Sequence, residues 1–252
     1  MTTLNILDID LDFFMMHEMV YTGCPEDGQR LPIDEFIPWN EQMVRNFLED
    51  QCGLRRDGLI PGKVLTDHNE LFYELRSINE KSVRRPKFHI DHVDAHSDTG
   101  LWDDSYNFIF THWVNYSKEY RSYPPDEKVK INNFLIFLAC AELLSSLNFI
   151  SLEWNPSDIG HMYFKYVNNK PQAIKFRFYQ DLLFKSNVDV LTRLRTWNPN
   201  KQSKDIPFEQ IYYKNFKSVV NYDYIFLTQS PEYTPVESDE LIPIIKEYMQ
   251  EI

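Results

Sequence analysis

Carboxylate and imidazole side chains are concentrated in residues 87–100, which read KFHIDHVDAHSDTG. The segment begins as an apolar strand and becomes acidic where that strand is expected to end. Four of the ionisable side chains recur at every second position: His92, Asp94, His96 and Asp98. On a strand this spacing places them on one face, where so many buried charges require a cation among them. A divalent metal ion is the simplest such cation.

A second acidic motif occupies residues 4–12, which read LNILDIDLD. If this segment is a strand, Asp8, Asp10 and Asp12 share one face, and the leucine and isoleucine side chains between them share the other. An exposed edge strand with a solvated acidic face would show the same alternation. The segment stays apolar through Phe13 and the three residues after it, which favours a buried strand that ends at a metal site.

Helices and strands alternate along the chain. Apolar residues at helical spacing predict helices at residues 41–51, 69–80, 132–147 and from about 238 onward. Predicted strands occupy residues 4–12, 63–66, 87–94, 148–152 and 222–228, with a β-hairpin over 162–179. This order predicts one α/β domain over residues 1–252, with a mainly parallel sheet and helices on both faces. The site of such a sheet lies at the carboxyl ends of its strands, where His68 joins the two acidic motifs.

The charge balance of the chain is acidic, because 26 Lys and Arg stand against 38 Asp and Glu, which gives a net charge of −12. Nucleic-acid binders usually carry a basic face, so we expect no nucleic-acid partner and instead a cationic ligand. The three cysteines, Cys24, Cys52 and Cys140, form no C-x-x-C motif, which indicates reduced thiols in a cytoplasmic protein. The N-terminus lacks the basic region of a signal peptide, and the longest apolar run, residues 134–141, is too short to span a bilayer.

The expected metal ligands are rich in carboxylates and include two imidazoles. They are Asp8, Asp10, His68, Asp94, His96 and Asp98. Such a set favours Mn²⁺ over Zn²⁺, which prefers fewer ligands and often sulfur. Two ions about 3.5–4 Å apart would lower the pKa of a bridging water and provide hydroxide near neutral pH. We expect two Mn²⁺ ions per chain.

The combination of D-x-H-x-D with D-x-D resembles the arginase and agmatinase (ureohydrolase) superfamily. Three segments are closest to its divergent peptide arginases: TDHNE at residues 66–70, HVDAHSD at 92–98 and LDIDLDFF at 7–14. The resemblance implies a three-layer α/β/α sandwich with a mainly parallel sheet, as in arginases and deacetylases. It also implies a manganese-dependent hydrolase of natural-product biosynthesis, which converts arginine side chains of a ribosomally synthesised precursor peptide to ornithine and urea.

The resemblance assigns roles to individual residues. Asp94 matches an aspartate that bridges the two ions. Asp98 matches the aspartate that binds one ion and orients the hydroxide, and His96 matches the histidine on the other ion. His68 stands where the superfamily has the histidine of G-G-D-H, although the two glycines are absent here.

The aspartates of the D-x-D motif are matched by Asp8 and Asp10 or, in an alternative register, by Asp10 and Asp12. Arginases place this motif after D-x-H-x-D, whereas here it opens the chain. Neighbouring strands of a sheet need not follow the order of the sequence, so we expect a rearranged strand order that brings the two motifs together.

A guanidinium substrate requires a carboxylate acceptor, which can bind its planar fork through two hydrogen bonds. Glu232 follows a predicted core strand near the C-terminus, where arginases carry their guanidinium-binding glutamate. A solvated loop acid is the alternative interpretation, and Glu153 is the next candidate. Asp98 or a nearby histidine such as His92 is expected to protonate the leaving amine.

Two other functions remain open from the sequence. A ureohydrolase or amidohydrolase that acts on a free small molecule, such as arginine or agmatine, would use the same metals in a tighter site. A non-catalytic binding protein with a metal-stabilised fold would need no open positions on two ions. The acidic charge and the irregular, aromatic segment 99–128 favour a cationic peptide as the partner. The sequence does not indicate an oligomeric state.

Overall fold

The chain folds around one large sheet. A computed structural model describes residues 2–16, 28–100, 108–109, 113–152, 159, 164–176 and 204–252. The strands within these residues are β1 (Thr3–Asp10), β2 (Ile60–Leu65), β3 (Lys87–Val93), β4 (Leu144–Ser151), β5 (Phe164–Val167), β6 (Lys170–Ile174), β7 (Ile206–Tyr212), β8 (Tyr224–Thr228) and β9 (Met249–Glu251). The α-helices are α1 (Glu41–Asn46), α2 (Glu70–Lys81), α3 (Lys118–Arg121), α4 (Phe134–Cys140) and α5 (Leu241–Lys246).

The sheet is mainly parallel, with β1 near its centre. Its strand order is β5-β6-β7-β4-β3-β1-β8-β2-β9. The strands from β7 to β9 in this order are parallel to one another, whereas β5 and β6 form an antiparallel hairpin and β6 is antiparallel to β7. Because β1 lies between β3 and β8, the D-x-D motif that opens the chain is placed next to D-x-H-x-D.

Alternation along β1 divides its apolar side chains between two core clusters. Ile6 belongs to a cluster with Phe72 of α2 and Phe134 of α4, whereas Leu7 and Ile9 belong to a cluster with residues of α1 and α5. Each cluster thus combines strand and helix residues. The predicted α/β class and mainly parallel sheet are confirmed, while the three-layer sandwich and the arginase-like fold stay predictions.

Two predicted elements are confirmed together with the residues that begin or connect them, namely the helix after Asn40 and the hairpin around Asn168 and Asn169. The side chain of Asn40 accepts a hydrogen bond from the Met43 amide at 3.0 Å and begins α1, which continues as a π-helix over Phe47–Gln51. The hairpin of β5 and β6 turns at Asn168 and Asn169, whose φ angles of 51° and 60° suit a type I′ turn. The outer ends of the predicted hairpin lie outside the described residues.

The helix predicted over residues 132–147 is wrong beyond Cys140. Glu142 has a left-handed φ of 59°, which ends the helix, and the chain continues as β4 from Leu144. A short apolar run fits a buried strand as well as a helix, so periodicity does not separate the two. Pairing decides the matter, since β4 lies parallel to β3 on one side and to β7 on the other.

Other differences lie at the ends of elements and at the margins of the sheet. The first strand ends at Asp10 rather than at residue 12, because Leu11–Phe14 forms a 3-10 helix. β7 and β9 are not among the predicted strands, and the C-terminal helix is shorter than predicted, since Val236–Glu240 is a 3-10 helix. In the described parts of the chain, none of the helices combines the length and the apolar character needed to cross a membrane.

Gly62 in β2 allows neighbouring strands to approach closely. A Cβ atom at this position would overlap the carbonyl oxygen of Ile225 in β8 and lie 2.7 Å from Cε of Met249 in β9. We expect Gly62→Ala to lower the free energy of unfolding by about 1–3 kcal/mol, as in other overpacked interiors. Gly58→Ala is the control, because its added Cβ would meet no atom within 4 Å. Urea unfolding measures both variants, and equal stability would contradict the close packing at Gly62.

Candidate metal centre

Acidic and histidine side chains meet at the carboxyl edge of the sheet. β1 and β3 run in parallel with Asp8 beside His92, so their acidic ends reach the same edge. The turn after β2 contributes His68. All the ligands predicted from the sequence lie in this cluster: Asp8, Asp10, Asp12, His68, Asp94, His96 and Asp98. Each of them is buried except His96, whose side chain is partly exposed.

The turn that presents His68 is held by local hydrogen bonds. Oε1 of Glu70 accepts hydrogen bonds from the amides of Thr66 and Asp67 at 3.0 and 2.9 Å, which closes the chain between β2 and α2. The ring of His68 then packs against Phe134 of α4, with the ring centroids 4.7 Å apart. Backbone and ring are therefore both fixed before any ligand binds.

Asp8 contacts two histidines and orients both rings. Its Oδ1 lies 3.0 Å from Nε2 of His68, and its Oδ2 lies 2.7 Å from Nδ1 of His92. A carboxylate in this position holds the proton on the near nitrogen of each ring and leaves the far nitrogen free to act as a ligand. The far nitrogens are Nδ1 of His68 and Nε2 of His92, and both face the other aspartates.

Three carboxylates converge on the far nitrogen of His68. Its Nδ1 lies close to one oxygen of each of them: Oδ2 of Asp10 at 2.9 Å, Oδ2 of Asp98 at 3.0 Å and Oδ2 of Asp94 at 3.2 Å. Within the described part of the chain, neither Nδ1 of His68 nor Oδ2 of Asp94 makes a hydrogen bond of good geometry, so these atoms meet without fully satisfying one another. One nitrogen and three carboxylate oxygens at one point suit a divalent cation, and this cluster can hold a metal ion.

Asp94 also belongs to a second group of donors, together with Asp12 and His96. Nδ1 of His96 lies 3.0 Å from Oδ2 of Asp12 and 3.7 Å from Oδ1 of Asp94. The two oxygens of Asp94 thus face different groups, with Oδ2 toward His68 and Oδ1 toward His96. The backbone amide of His96 donates to the same Oδ1 at 2.7 Å and holds the loop after β3 in place.

Asp10 divides its oxygens between the backbone and the cluster. Its Oδ1 accepts a hydrogen bond from the Asp12 amide at 3.1 Å and caps the 3-10 helix that follows β1. Its Oδ2 accepts a hydrogen bond from Oγ of Ser230 at 2.5 Å and faces His68. Ser230 and Asp98 both have a left-handed backbone, with φ angles of 45° and 46°. Such strain in residues with a Cβ is concentrated at functional sites.

The concentration of acids perturbs the ionisation of the whole cluster. Burial and the charge of Asp94 raise the pKa of Asp98 to about 7. Burial and the charges of Asp10 and Asp94 raise the pKa of Asp12 well above its ordinary value. Burial opposes the charge of His68, but the surrounding aspartates raise its pKa well above 6.5. The acids therefore require positive charge, from protonated histidines or from a bound cation.

His92 is a donor that the sequence analysis does not place among the metal ligands. Its Nε2 lies 3.2 Å from Oδ2 of Asp94, and it forms a further group of candidate ligands with Asp94 and Asp98. The signal is present in the sequence, because His92 begins the series of ionisable residues at every second position. The same nitrogen also lies 3.2 Å from the backbone carbonyl of His96. A carbonyl only accepts hydrogen bonds, so Nε2 donates to it when protonated and is a metal ligand only when deprotonated.

The neighbouring residue Asp91 lies outside the cluster and has its own partners. It accepts hydrogen bonds from Nδ2 of Asn148 at 2.8 Å and from the hydroxyl of Tyr222 at 2.5 Å. Nε2 of His89 lies 3.2 Å from its Oδ1. A buried carboxylate satisfied in this way does not require a metal ion, which fits a structural role.

Glu232, the predicted guanidinium ligand, lies in a segment whose neighbouring residues contact the cluster. It is half-buried in the 3-10 helix that follows Ser230. The next residue, Tyr233, packs against the ring of His96 with the centroids 5.4 Å apart. Glu232 is thus flanked by two residues that contact the cluster, whereas the alternative candidate, Glu153, lies outside the described residues.

The chain matches no protein-family model, no curated protein and no solved structure. Its own geometry defines its class: an α/β protein whose mainly parallel sheet carries a buried cluster of aspartates and histidines that can hold a metal ion. Two of its three cysteines, Cys52 and Cys140, are free and buried, and Cys24 lies outside the described residues.

Proposed function

We propose that this protein is a peptide arginase, a hydrolase that uses two Mn²⁺ ions to convert arginine side chains of a ribosomally synthesised precursor peptide to ornithine and urea. The convergence of three aspartates on the buried Nδ1 of His68 carries the proposal. The resemblance of the D-x-D and D-x-H-x-D motifs to ureohydrolases supports the reaction type. A three-layer, arginase-like sandwich is part of the same proposal.

Two groups of side chains would hold the ions. The first group consists of His68 with Asp10, Asp94 and Asp98, and the second consists of His96 with Asp12 and Asp94. Asp94 is common to both and would bridge them. In this arrangement the D-x-D motif supplies its ligands in the second register, Asp10 and Asp12, and Asp8 orients His68. The high proportion of carboxylates suits Mn²⁺, and two such ions, when bound, supply hydroxide near neutral pH.

The residues of the chain would bind the substrate and move its protons. Glu232 would accept two hydrogen bonds from the guanidinium group and hold its carbon over the cluster. Hydrolysis adds water to that carbon and breaks its bond to Nε, so urea leaves and Nε becomes the protonated amine of ornithine. Asp98 would take a proton from the attacking water and return it to Nε.

The charge of the chain supports a cationic peptide as the substrate. A net charge of −12 attracts a basic segment before it reaches the site. A peptide with several basic residues would gain more from this field than free arginine, whose α-amino and α-carboxylate charges cancel and leave only the guanidinium charge. The cytoplasmic location and the lack of a nucleic-acid partner stay predictions.

Incubation of the Mn²⁺-loaded protein with an arginine-containing peptide tests the proposal. We expect mass spectrometry to show a loss of CN₂H₂ for each converted arginine, with an equal amount of urea. The control is the same peptide with lysine in place of arginine, which should not change. Free L-arginine and agmatine are assayed in parallel, and urea from these alone would contradict a peptide substrate. The absence of product from all three would contradict a hydrolase and favour a metal-stabilised binding protein.

A further inference from the structure

A cavity of about 370 Å³ lies at the amino edge of the sheet, away from the metal centre. It is lined by Lys87, the first residue of β3, by Leu143 before β4, and by side chains of α2 and α3. Asp94 follows the last residue of β3, so the two sites are roughly 20 Å apart at about 3.3 Å per strand residue. The volume of the cavity is in the range of small-molecule sites.

The lining of this cavity carries an excess of positive charge. Its cations are Arg76, Arg85, Lys87 and Lys118, and its acids are Glu80, Glu119 and Glu142. Glu142 is largely neutralised, because its Oε1 lies 2.6 Å from Nη2 of Arg121, which is itself outside the lining. On a chain with a net charge of −12, a local surplus of cations favours the binding of an anion.

In the ranges that the structure describes, three cations of the lining have no carboxylate oxygen within 4.0 Å, namely Arg76, Arg85 and Lys87, whereas Lys118 lies 3.9 Å from Glu142. Two acids of the lining, Glu80 and Glu119, likewise have no ion pair among the described residues. Arg76 packs against aromatic rings, which leaves Lys87 and Arg85 as the cations that can hold an anion. Burial lowers the pKa of Lys87 against the attraction of Glu142, and the charge of Lys118 lowers it further. A bound anion would stabilise the ammonium group of Lys87 in this position.

One wall of the cavity is built from Arg76 and the aromatic side chains that contact it. The guanidinium carbon of Arg76 lies 5.2 Å from the ring centroid of Tyr73 and 5.1 Å from that of Tyr123. Arg76 also donates a hydrogen bond to the backbone carbonyl of Ser122 at 3.3 Å. A wall that is already ordered reduces the entropy that is lost when a ligand binds.

We propose that this cavity binds a small organic anion, whose phosphate or carboxylate group is held by Lys87 and Arg85 between α2 and the start of β3. The ring of Tyr123, which lines the cavity and is largely exposed, offers a flat surface to the rest of the ligand. The site is separate from the metal centre, and its existence does not depend on the proposed hydrolase activity.

Isothermal titration of the full chain with inorganic phosphate and with citrate tests this site. We expect saturable binding of at least one anion with a Kd below about 1 mM. Binding of phosphate alone would identify a phosphorylated ligand, and binding of citrate alone would identify a carboxylate ligand. Failure of both anions to saturate the protein would overturn the proposal.

Variants locate the bound anion. Lys87→Met keeps the length of the side chain without its charge, and Arg85→Asn removes the guanidinium with a residue that tolerates the φ of 46° at this position. We expect each to raise the Kd at least tenfold, whereas Lys246→Met, at an exposed lysine that pairs with Glu251, should leave it unchanged. Unchanged binding in both cavity variants, with their thermal unfolding intact, would overturn the proposal.

A variant of the metal centre separates the two sites. Phosphate and citrate can also bind metal ions, so the titrations are repeated with Asp94→Asn. We expect this variant to bind the anion as the unmodified protein does, because Asp94 is at the other edge of the sheet. Loss of anion binding in Asp94→Asn alone would place the anion at the metal centre and overturn the proposal.

Discussion

We expect Asp94→Asn to abolish metal binding and urea release while the protein keeps its fold. Asp94 is the one aspartate that belongs to both groups of donors, with Oδ2 at 3.2 Å from His68 and Oδ1 at 3.7 Å from His96. Asparagine has the same shape but lacks the negative charge and one of the two acceptor oxygens. Removal of a group that only orients a metal ligand already costs 10–100-fold in affinity or activity. We therefore expect metal affinity to fall by more than about 100-fold.

Metal analysis and calorimetry measure this effect on the purified variant. Asp205→Asn is the matched control, because this aspartate pairs with Lys165 and Lys175 at the surface and lies far along the sheet from the cluster. Circular dichroism checks that both variants keep their secondary structure. If Asp94→Asn binds two ions per chain and releases urea at the normal rate, the assignment of the centre is wrong.

The position of the site follows from the sequence because its residues stand where strands end. In a parallel sheet the carboxyl ends of the strands share one edge, so acids after β1 and β3 must come together once these strands are neighbours. Alternation within residues 4–12 also predicts that Leu7 and Ile9 face away from Asp8, as they do. The sequence does not specify that β1 lies between β3 and β8, since strand order depends on which long-range pairings form.

The boundaries and elements that sequence analysis misses are those that depend on distant neighbours. The strand predicted over residues 148–152 begins earlier, at Leu144, because residues assigned to the preceding helix pair with β3 and β7. β9 has three residues and, among the described strands, pairs only with β2, which leaves almost no local pattern to detect. The role of His92 likewise depends on residues that are distant in the sequence. Its spacing marks it as a member of the cluster, but only the structure shows that Nδ1 contacts Asp8 and that Nε2 faces Asp94.

Glu232→Gln is expected to lower kcat/KM for an arginine peptide by about 30-fold or more while the metal content stays normal. Removal of one partner of a desolvated charge pair costs about 2–5 kcal/mol, and 1.36 kcal/mol corresponds to a factor of ten in rate. Glutamine keeps the size of the side chain but can no longer accept two hydrogen bonds from the guanidinium group. Because Glu232 is not among the groups of candidate metal ligands in the described residues, its loss should not release the ions.

The comparison of two variants makes this prediction specific. Glu237→Gln changes an exposed carboxyl side chain in the 3-10 helix that follows, so it makes the same substitution at a residue that has no contact with the cluster among those described. We expect Glu237→Gln to retain normal kcat/KM and normal metal content. Equal activity of the two variants would show that Glu232 does not bind the guanidinium group. Loss of metal in Glu232→Gln would instead show that Glu232 supports the metal centre. The carboxylate that binds the guanidinium group must then come from another segment at the same edge of the sheet.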